Sequence, residues 1–259
     1  RPSRLASGKS RQAAREQGES ALRSQVFLDS CRFARIPPPL LPMAILAKVA
    51  SHKGGRVRPT WARIDLSAIA ANVKVAMRLA GPAAVMAVVK ADAYGHGAVP
   101  VAQAALEAGA AWLGVAIPEE GRLLRQAGIR APVLVLGPVL PSDAELSVRD
   151  ALDQCVSDLA QIEALQQAAE AQGREAWVHI KVDTGMGRVG FRPEEMPRVA
   201  ARLGAAPRVR VRALMTHFAD AEAADGAYTA EQLRRFDRAW RACRAAGLEP
   251  PLRHAANSA

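Results

Sequence analysis

Seven short, almost wholly apolar runs, at 85–90, 112–116, 132–137, 154–157, 176–182, 209–217 and 252–259, constrain this chain most. Between them lie amphipathic stretches at 69–80, 99–108, 119–127, 159–171, 194–203 and 230–246. A strand with one face in water alternates apolar and polar residues; runs that are apolar throughout mark strands buried on both faces. Gly109, Gly128, Gly173, Gly204 and Gly247 stand where helices end and a left-handed residue is wanted. The rhythm is a βα repeat, which an open doubly wound sheet or a (β/α)8 barrel can satisfy. A dinucleotide-binding sheet wants G-x-G-x-x-G after its first strand. Here the run from Lys90 reads Lys-Ala-Asp-Ala-Tyr-Gly-His-Gly. The expected fold class is therefore α/β, a (β/α)8 TIM-type barrel that is incomplete, with about seven strands.

Charge divides the chain. Residues 1–60 hold 12 Lys and Arg against 3 Asp and Glu, and the rest hold 23 against 22. The net charge of +10 thus belongs to the leading segment, whereas a nucleic-acid groove needs clustered charge on the folded body. The expectation is no nucleic-acid partner. Residues 1–57 read as a basic, disordered leader, and 58–259 as the barrel domain. Within the latter, 58–65 is strand-like, and Asp65 or Ser67 can cap the first helix. Aromatic residues are only 4% of the chain, so Ala, Val and Leu must fill the core. No apolar run approaches the ~20 residues that cross a bilayer. Cys31, Cys155 and Cys243 are far apart and read as reduced thiols of a cytoplasmic protein. The five histidines lack metal-ligand spacing, so no metal is expected.

In a parallel barrel, chemistry gathers where strands end. The first apolar run ends in Lys90 and leads into Tyr94; the fifth leads through His179, Lys181 and Asp183 into a glycine-rich loop bearing Arg188. The sixth ends in His217, and the seventh carries His254, Asn257 and Ser258. An amine at an apolar strand end is desolvated, which favours its neutral form and Schiff-base chemistry; the alternative is a lysine snorkelling from the rim. Arg188 offers a planar fork for a carboxylate or phenolate, or is a surface charge. Lys181 shares a strand face with Asp183 and can pair with it. Tyr94 can present a hydroxyl to a phosphate or cover the rim, and His217 can be a core residue. Asn257 and Ser258 follow the last strand, where barrels bind phosphate.

These segments resemble the alanine racemase family. The run from Val88 through Lys90 and Tyr94 to Gly97 is similar to its cofactor-lysine signature. Further motifs match in order: Lys181 through Arg188 to Gly190, Thr216-His217-Phe218-Ala219, and His254 through Asn257-Ser258 to Ala259. The resemblance covers 58–259. It implies a two-domain enzyme using pyridoxal 5'-phosphate, a homodimer in the cytoplasm that interconverts L- and D-alanine for peptidoglycan. It implies that Lys90 carries the cofactor and serves as acid/base on one face of the substrate. By the same resemblance, Tyr94 and Ser258 hold the phosphate, and Asn257 supports that side. His217 lies against the ring, Arg188 contacts the phenolate and substrate carboxylate, and Lys181 is a position open to carbamylation.

Racemisation needs an acid/base on each face of a planar intermediate. The resemblance assigns the second to a tyrosine of a C-terminal β domain across the dimer. That domain and the eighth strand are expected to be missing here, leaving an inactive barrel with an exposed strand edge. Two alternatives remain open: a racemase for Ser, Lys or another amino acid, and a non-catalytic cofactor-carrying barrel.

Overall fold

The computed structural model describes residues 62–138 and 140–258 in full, and the backbone of residues 24–29. The seven expected strands are present from 85 onward: β2 (Val85–Val88), β3 (Trp112–Val115), β4 (Val133–Val135), β5 (Asp153–Val156), β6 (Ala176–Lys181), β7 (Val209–His217) and β8 (Leu252–Ala256). All pair in parallel with their sequential neighbours. Together they curl into the incomplete barrel that the apolar runs predict.

Two features depart from expectation. Ser24–Asp29, inside the segment read as a disordered leader, is a strand, β1. It pairs in parallel with β2, Val26 opposite Val85, and with β8, Gln25 opposite His254, closing the ring. The expected exposed edge is thereby covered, because two edges with unpaired amides and carbonyls are satisfied by one extended segment. The rest of 1–57 lies outside the described residues. The strand-like reading of 58–65 also fails where it can be seen, since 62–65 is irregular. Asp65 is instead the helix cap, accepting from the amides of Ser67 at 2.9 Å and Ala68 at 3.2 Å.

The helices form the outer layer: α1 (Leu66–Ala80), α2 (Ala98–Glu107), α3 (Pro118–Gln126), α4 (Ala144–Arg149), α5 (Leu159–Ala171), α6 (Met196–Gly204) and α7 (Ala227–Ala245). Alternation along the strands separates two cores. Outward residues such as Leu113, Val133, Ile180 and Leu214 pack under the helices in two large clusters. Inward residues Met86, Trp112, Leu134, Cys155 and Met215 fill the barrel.

That interior is also polar. Asp153 meets Arg212 Nε at 2.7 Å and His179 Nε2 at 3.2 Å, and His179 Nδ1 lies 2.8 Å from His254 Nε2. Arg212 gets there by a β-bulge. The β6–β7 register steps from Val178 opposite Val211 to His179 opposite Ala213, so Arg212 is the extra residue. Its guanidinium stacks 3.8 Å from the Trp177 ring centroid. Burial lowers the pKa of both His179 and His254 and raises that of the Cys155 thiol to about 11.

Candidate active site

The C-terminal ends of β2, β7 and β8 and the segment after β4 surround one cavity that opens to solvent. Its lining includes Lys90, Tyr94, His217, Asn257 and Ser258, which are five of the seven residues expected from the sequence. Val88, Leu136, Met215 and Ala256 supply apolar wall, and Thr216 a further hydroxyl.

Lys90 is half-buried at the exit of β2, its Nζ 5.7 Å from the centroid of the Tyr94 ring. The backbone between them is unusual. Ala91, Asp92, Ala93 and Tyr94 all hold left-handed φ values of 52° to 56°, a turn of left-handed helix without one glycine. Each such residue costs roughly 1–2 kcal/mol, so the surroundings must over-determine the turn. The Ala93 amide donates to Val89 O at 2.9 Å, and that of Gly97 to Asp92 O at 2.9 Å. Asp92 Oδ1 accepts from the Ala98 amide at 2.6 Å, tying the turn to the start of α2. His96 Nδ1 lies 2.9 Å from Ala93 O. Glu120 of α3 accepts from the Ala91 amide at 2.7 Å. The turn carries Tyr94 onto the same cavity as Lys90.

Behind Thr216 of the cavity lining, a chain of hydrogen bonds fixes the ends of β6 and β7. Thr216 Oγ1 donates to Val182 O at 2.8 Å, so it must accept from Thr184 Oγ1, also at 2.8 Å. Thr184 Oγ1 in turn accepts from Gln232 Nε2 of α7 at 3.0 Å. Gln232 also donates to His217 O at 3.2 Å and accepts from the Ala219 amide at 2.9 Å. Asn257 Nδ2 donates to Glu222 Oε2 at 3.4 Å. Sequence reasoning named Thr216 only as part of a motif and missed Gln232. A buried glutamine on an otherwise amphipathic helix is the one signal that marks it.

Two expected residues stand apart. Arg188 is exposed on the glycine-rich loop and does not line the cavity. Lys181 is only 8% exposed, at the end of β6. Its suggested partner Asp183 is committed elsewhere, accepting from the amides of Gly185 at 2.9 Å and Gly187 at 3.1 Å. The loop closes tightly: the Phe191 amide donates to Lys181 O and that of Asp183 to Phe191 O, both at 2.8 Å.

The deciding comparison is with families. Residues 64–259 match the model described as "Alanine racemase, N-terminal domain". This chain belongs to the alanine racemase family. It is 49% identical over 203 residues to the alanine racemase of Symbiobacterium thermophilum, covering 78% of this chain and 54% of that protein. The crystal structure of the alanine racemase from the D-cycloserine producer Streptomyces lavendulae is similar at 39% identity and a TM-score of 0.72, covering 75% of this chain and 52% of that one. A histidine racemase from Leuconostoc mesenteroides is similar at 29% identity and a TM-score of 0.68, covering 74% of this chain and 51% of that one. The chain therefore spans about half the length of the relatives it matches. Among the described residues no helix is long and apolar enough to cross a membrane.

The cavity suits the cofactor this family implies. Its lining combines an amine, the hydroxyl-bearing Tyr94 and Ser258, the Asn257 amide, an imidazole and apolar side chains, the mixture a flat phosphorylated ring requires.

Proposed function

We propose that the chain is the cofactor-binding barrel of an alanine racemase that uses pyridoxal 5'-phosphate. The observation carrying this reading is that Lys90, Tyr94, His217, Asn257 and Ser258, from three separate strand ends, line one cavity. Tyr94 and Ser258 hold the phosphate, Asn257 supports that side, and His217 lies against the ring. When bound, the cofactor supplies an electron sink for the pair left at the substrate Cα. Lys90 holds the cofactor and moves the Cα proton on one face. Arg188, exposed beside the glycines of the loop after β6, is the residue assigned to the substrate carboxylate. Carbamylation of the buried Lys181 replaces a cation with an anion that can pair with Arg188.

The second acid/base acts from the opposite face and is supplied by a tyrosine beyond the barrel, in a homodimer. The setting is the cytoplasm, the product D-alanine for peptidoglycan, and neither nucleic acid nor membrane is a partner. A racemase for another amino acid is the second reading, favoured by the likeness to the Leuconostoc histidine racemase.

One proton carrier tends to return a proton to the side it came from. The protein supplied with pyridoxal phosphate in deuterated water is therefore expected to exchange the Cα proton of one alanine enantiomer faster than it inverts it. Exchange with histidine, serine or lysine in preference to alanine supports the second reading. Absence of exchange with every amino acid tried contradicts both.

A further inference from the structure

Glu120 belongs to no sequence motif noted above and does not line the cavity, yet it reaches the residue after Lys90. Its Oε1 accepts from the Ala91 amide and its Oε2 from the Ala116 amide, each at 2.7 Å. Ala116 follows β3, the strand next to β2, so one carboxylate joins two neighbouring strand ends at the barrel mouth. A glutamate in the first turn of α3 is favoured by the positive end of the helix dipole, a local role that extends back to the amide of Ala116, two residues before the helix starts. It does not account for the bond to Ala91, which lies 29 residues away in sequence.

The consequence lies in the geometry at Lys90. The carbonyl of Val89 belongs to the peptide before Lys90, and the Ala93 amide holds it at 2.9 Å. The amide of Ala91 belongs to the peptide after Lys90, and Glu120 holds it. Both planes flanking the Lys90 Cα are thus fixed, and with them the direction of its Cα–Cβ bond. We propose that Glu120 is a positioning residue for Lys90, aiming its amine into the cavity by anchoring the first peptide of the left-handed turn. Both carboxylate oxygens are needed as acceptors. Glu120→Gln places an amide donor against one backbone N–H, and Glu120→Asp is one methylene short.

This inference rests on Lys90 being the cofactor amine, so the experiment separates the two claims. The protein, its Glu120→Gln and Glu120→Asp variants, and the exposed control Glu119→Gln are mixed with pyridoxal phosphate across a pH series. Adducts are trapped with borohydride and mapped, and folding is followed by circular dichroism. Reading the alkaline plateau, where the amine is neutral in every variant, removes the effect of Glu120's charge. Removing a nearby negative charge only makes the amine easier to deprotonate, so a charge effect speeds labelling at neutral pH. Lost positioning lowers the plateau itself, by about tenfold or more.

The expected result is a lowered plateau at Lys90 in Glu120→Gln, an unchanged one in Glu119→Gln, and faster hydrogen exchange of the Ala91 amide. Glu120→Asp, which keeps the helix-start charge, is expected to show the same loss and carries the test where Glu120→Gln unfolds. A wild-type plateau at Lys90 in either folded Glu120 variant overturns the proposal. A label on another lysine in the unsubstituted protein overturns the reading beneath it.

Discussion

At the scale of single residues, position rather than residue type makes Lys90 distinctive. It is half-buried where β2 ends, and no carboxylate lies within ion-pair distance of it among the described residues. Lys90→Arg keeps the charge but cannot condense with an aldehyde, so no borohydride-stable adduct is expected at position 90. Tyr94→Phe keeps the ring 5.7 Å from the amine and removes the hydroxyl. It is expected to weaken pyridoxal phosphate binding by about tenfold, as losing one hydrogen bond to a charged group implies; unchanged affinity in an absorbance titration contradicts that. Lys90, Tyr94, His217, Asn257 and Ser258 were legible as cavity-lining positions because each lies at or just past the end of an apolar run, and strand ends of a barrel converge. Glu120, Gln232 and Thr184 were not, because each acts through a bond to a segment distant in sequence. Arg188 was legible as a motif residue, yet it is exposed and does not line the cavity.

At the scale of elements, the loop after β6 depends on a close backbone approach. A Cβ added to Gly190, at φ 138°, would stand 2.5 Å from the Asp183 amide nitrogen, and rigid backbone cannot give way as a side-chain tip can. Gly190→Ala is expected to cost about 2 kcal/mol or more in denaturant unfolding, in the range of strained backbone positions. Thr184→Val breaks the hydroxyl chain and leaves a buried Gln232 N–H without its acceptor, a loss of about 1–3 kcal/mol. An unchanged midpoint for either variant counts against the packing described.

The helix punctuation was largely readable. Gly109, Gly128, Gly173 and Gly247 take positive φ after their helices, whereas Gly204 is the last helical residue of α6 and does not. The helix α4, six residues long, is too short to show a period and went unseen. So did the left-handed turn, because Ala-Asp-Ala-Tyr carries none of the glycines that normally announce positive φ. β1 escaped notice because only Val26, Phe27 and Leu28 are apolar in its six residues, within a strongly basic stretch.

At the scale of the whole molecule, the barrel interior sets the response to acid. His179 and His254 are buried and held below the ordinary histidine range, His254 well below it. The native state keeps both rings neutral where the unfolded chain, with pKa near 6.5, takes up protons. Their contribution is therefore retained above pH 6.5 and lost as the pH falls below it. The slope is about 1.4 kcal/mol per pH unit for each ring until its native pKa is reached. Urea midpoints are expected to fall from pH 7 to pH 5, and more shallowly in His254→Asn. A flat profile in the unsubstituted protein contradicts a neutral buried pair. The parallel α/β class was legible because fully apolar runs fit strands covered on both faces, and the barrel was preferred to an open sheet because no G-x-G-x-x-G follows the first run. The closing of the ring by β1 was not, since a strand that fills a gap is selected by the edges beside it rather than by its own pattern.

The most direct measurement is to incubate the protein with pyridoxal phosphate, reduce with borohydride, and map the modified peptide. The account predicts a single phosphopyridoxyl group on Lys90, lost in Lys90→Arg. A protein that takes up no cofactor, or one labelled at Lys181 or elsewhere with Lys90 untouched, would contradict it.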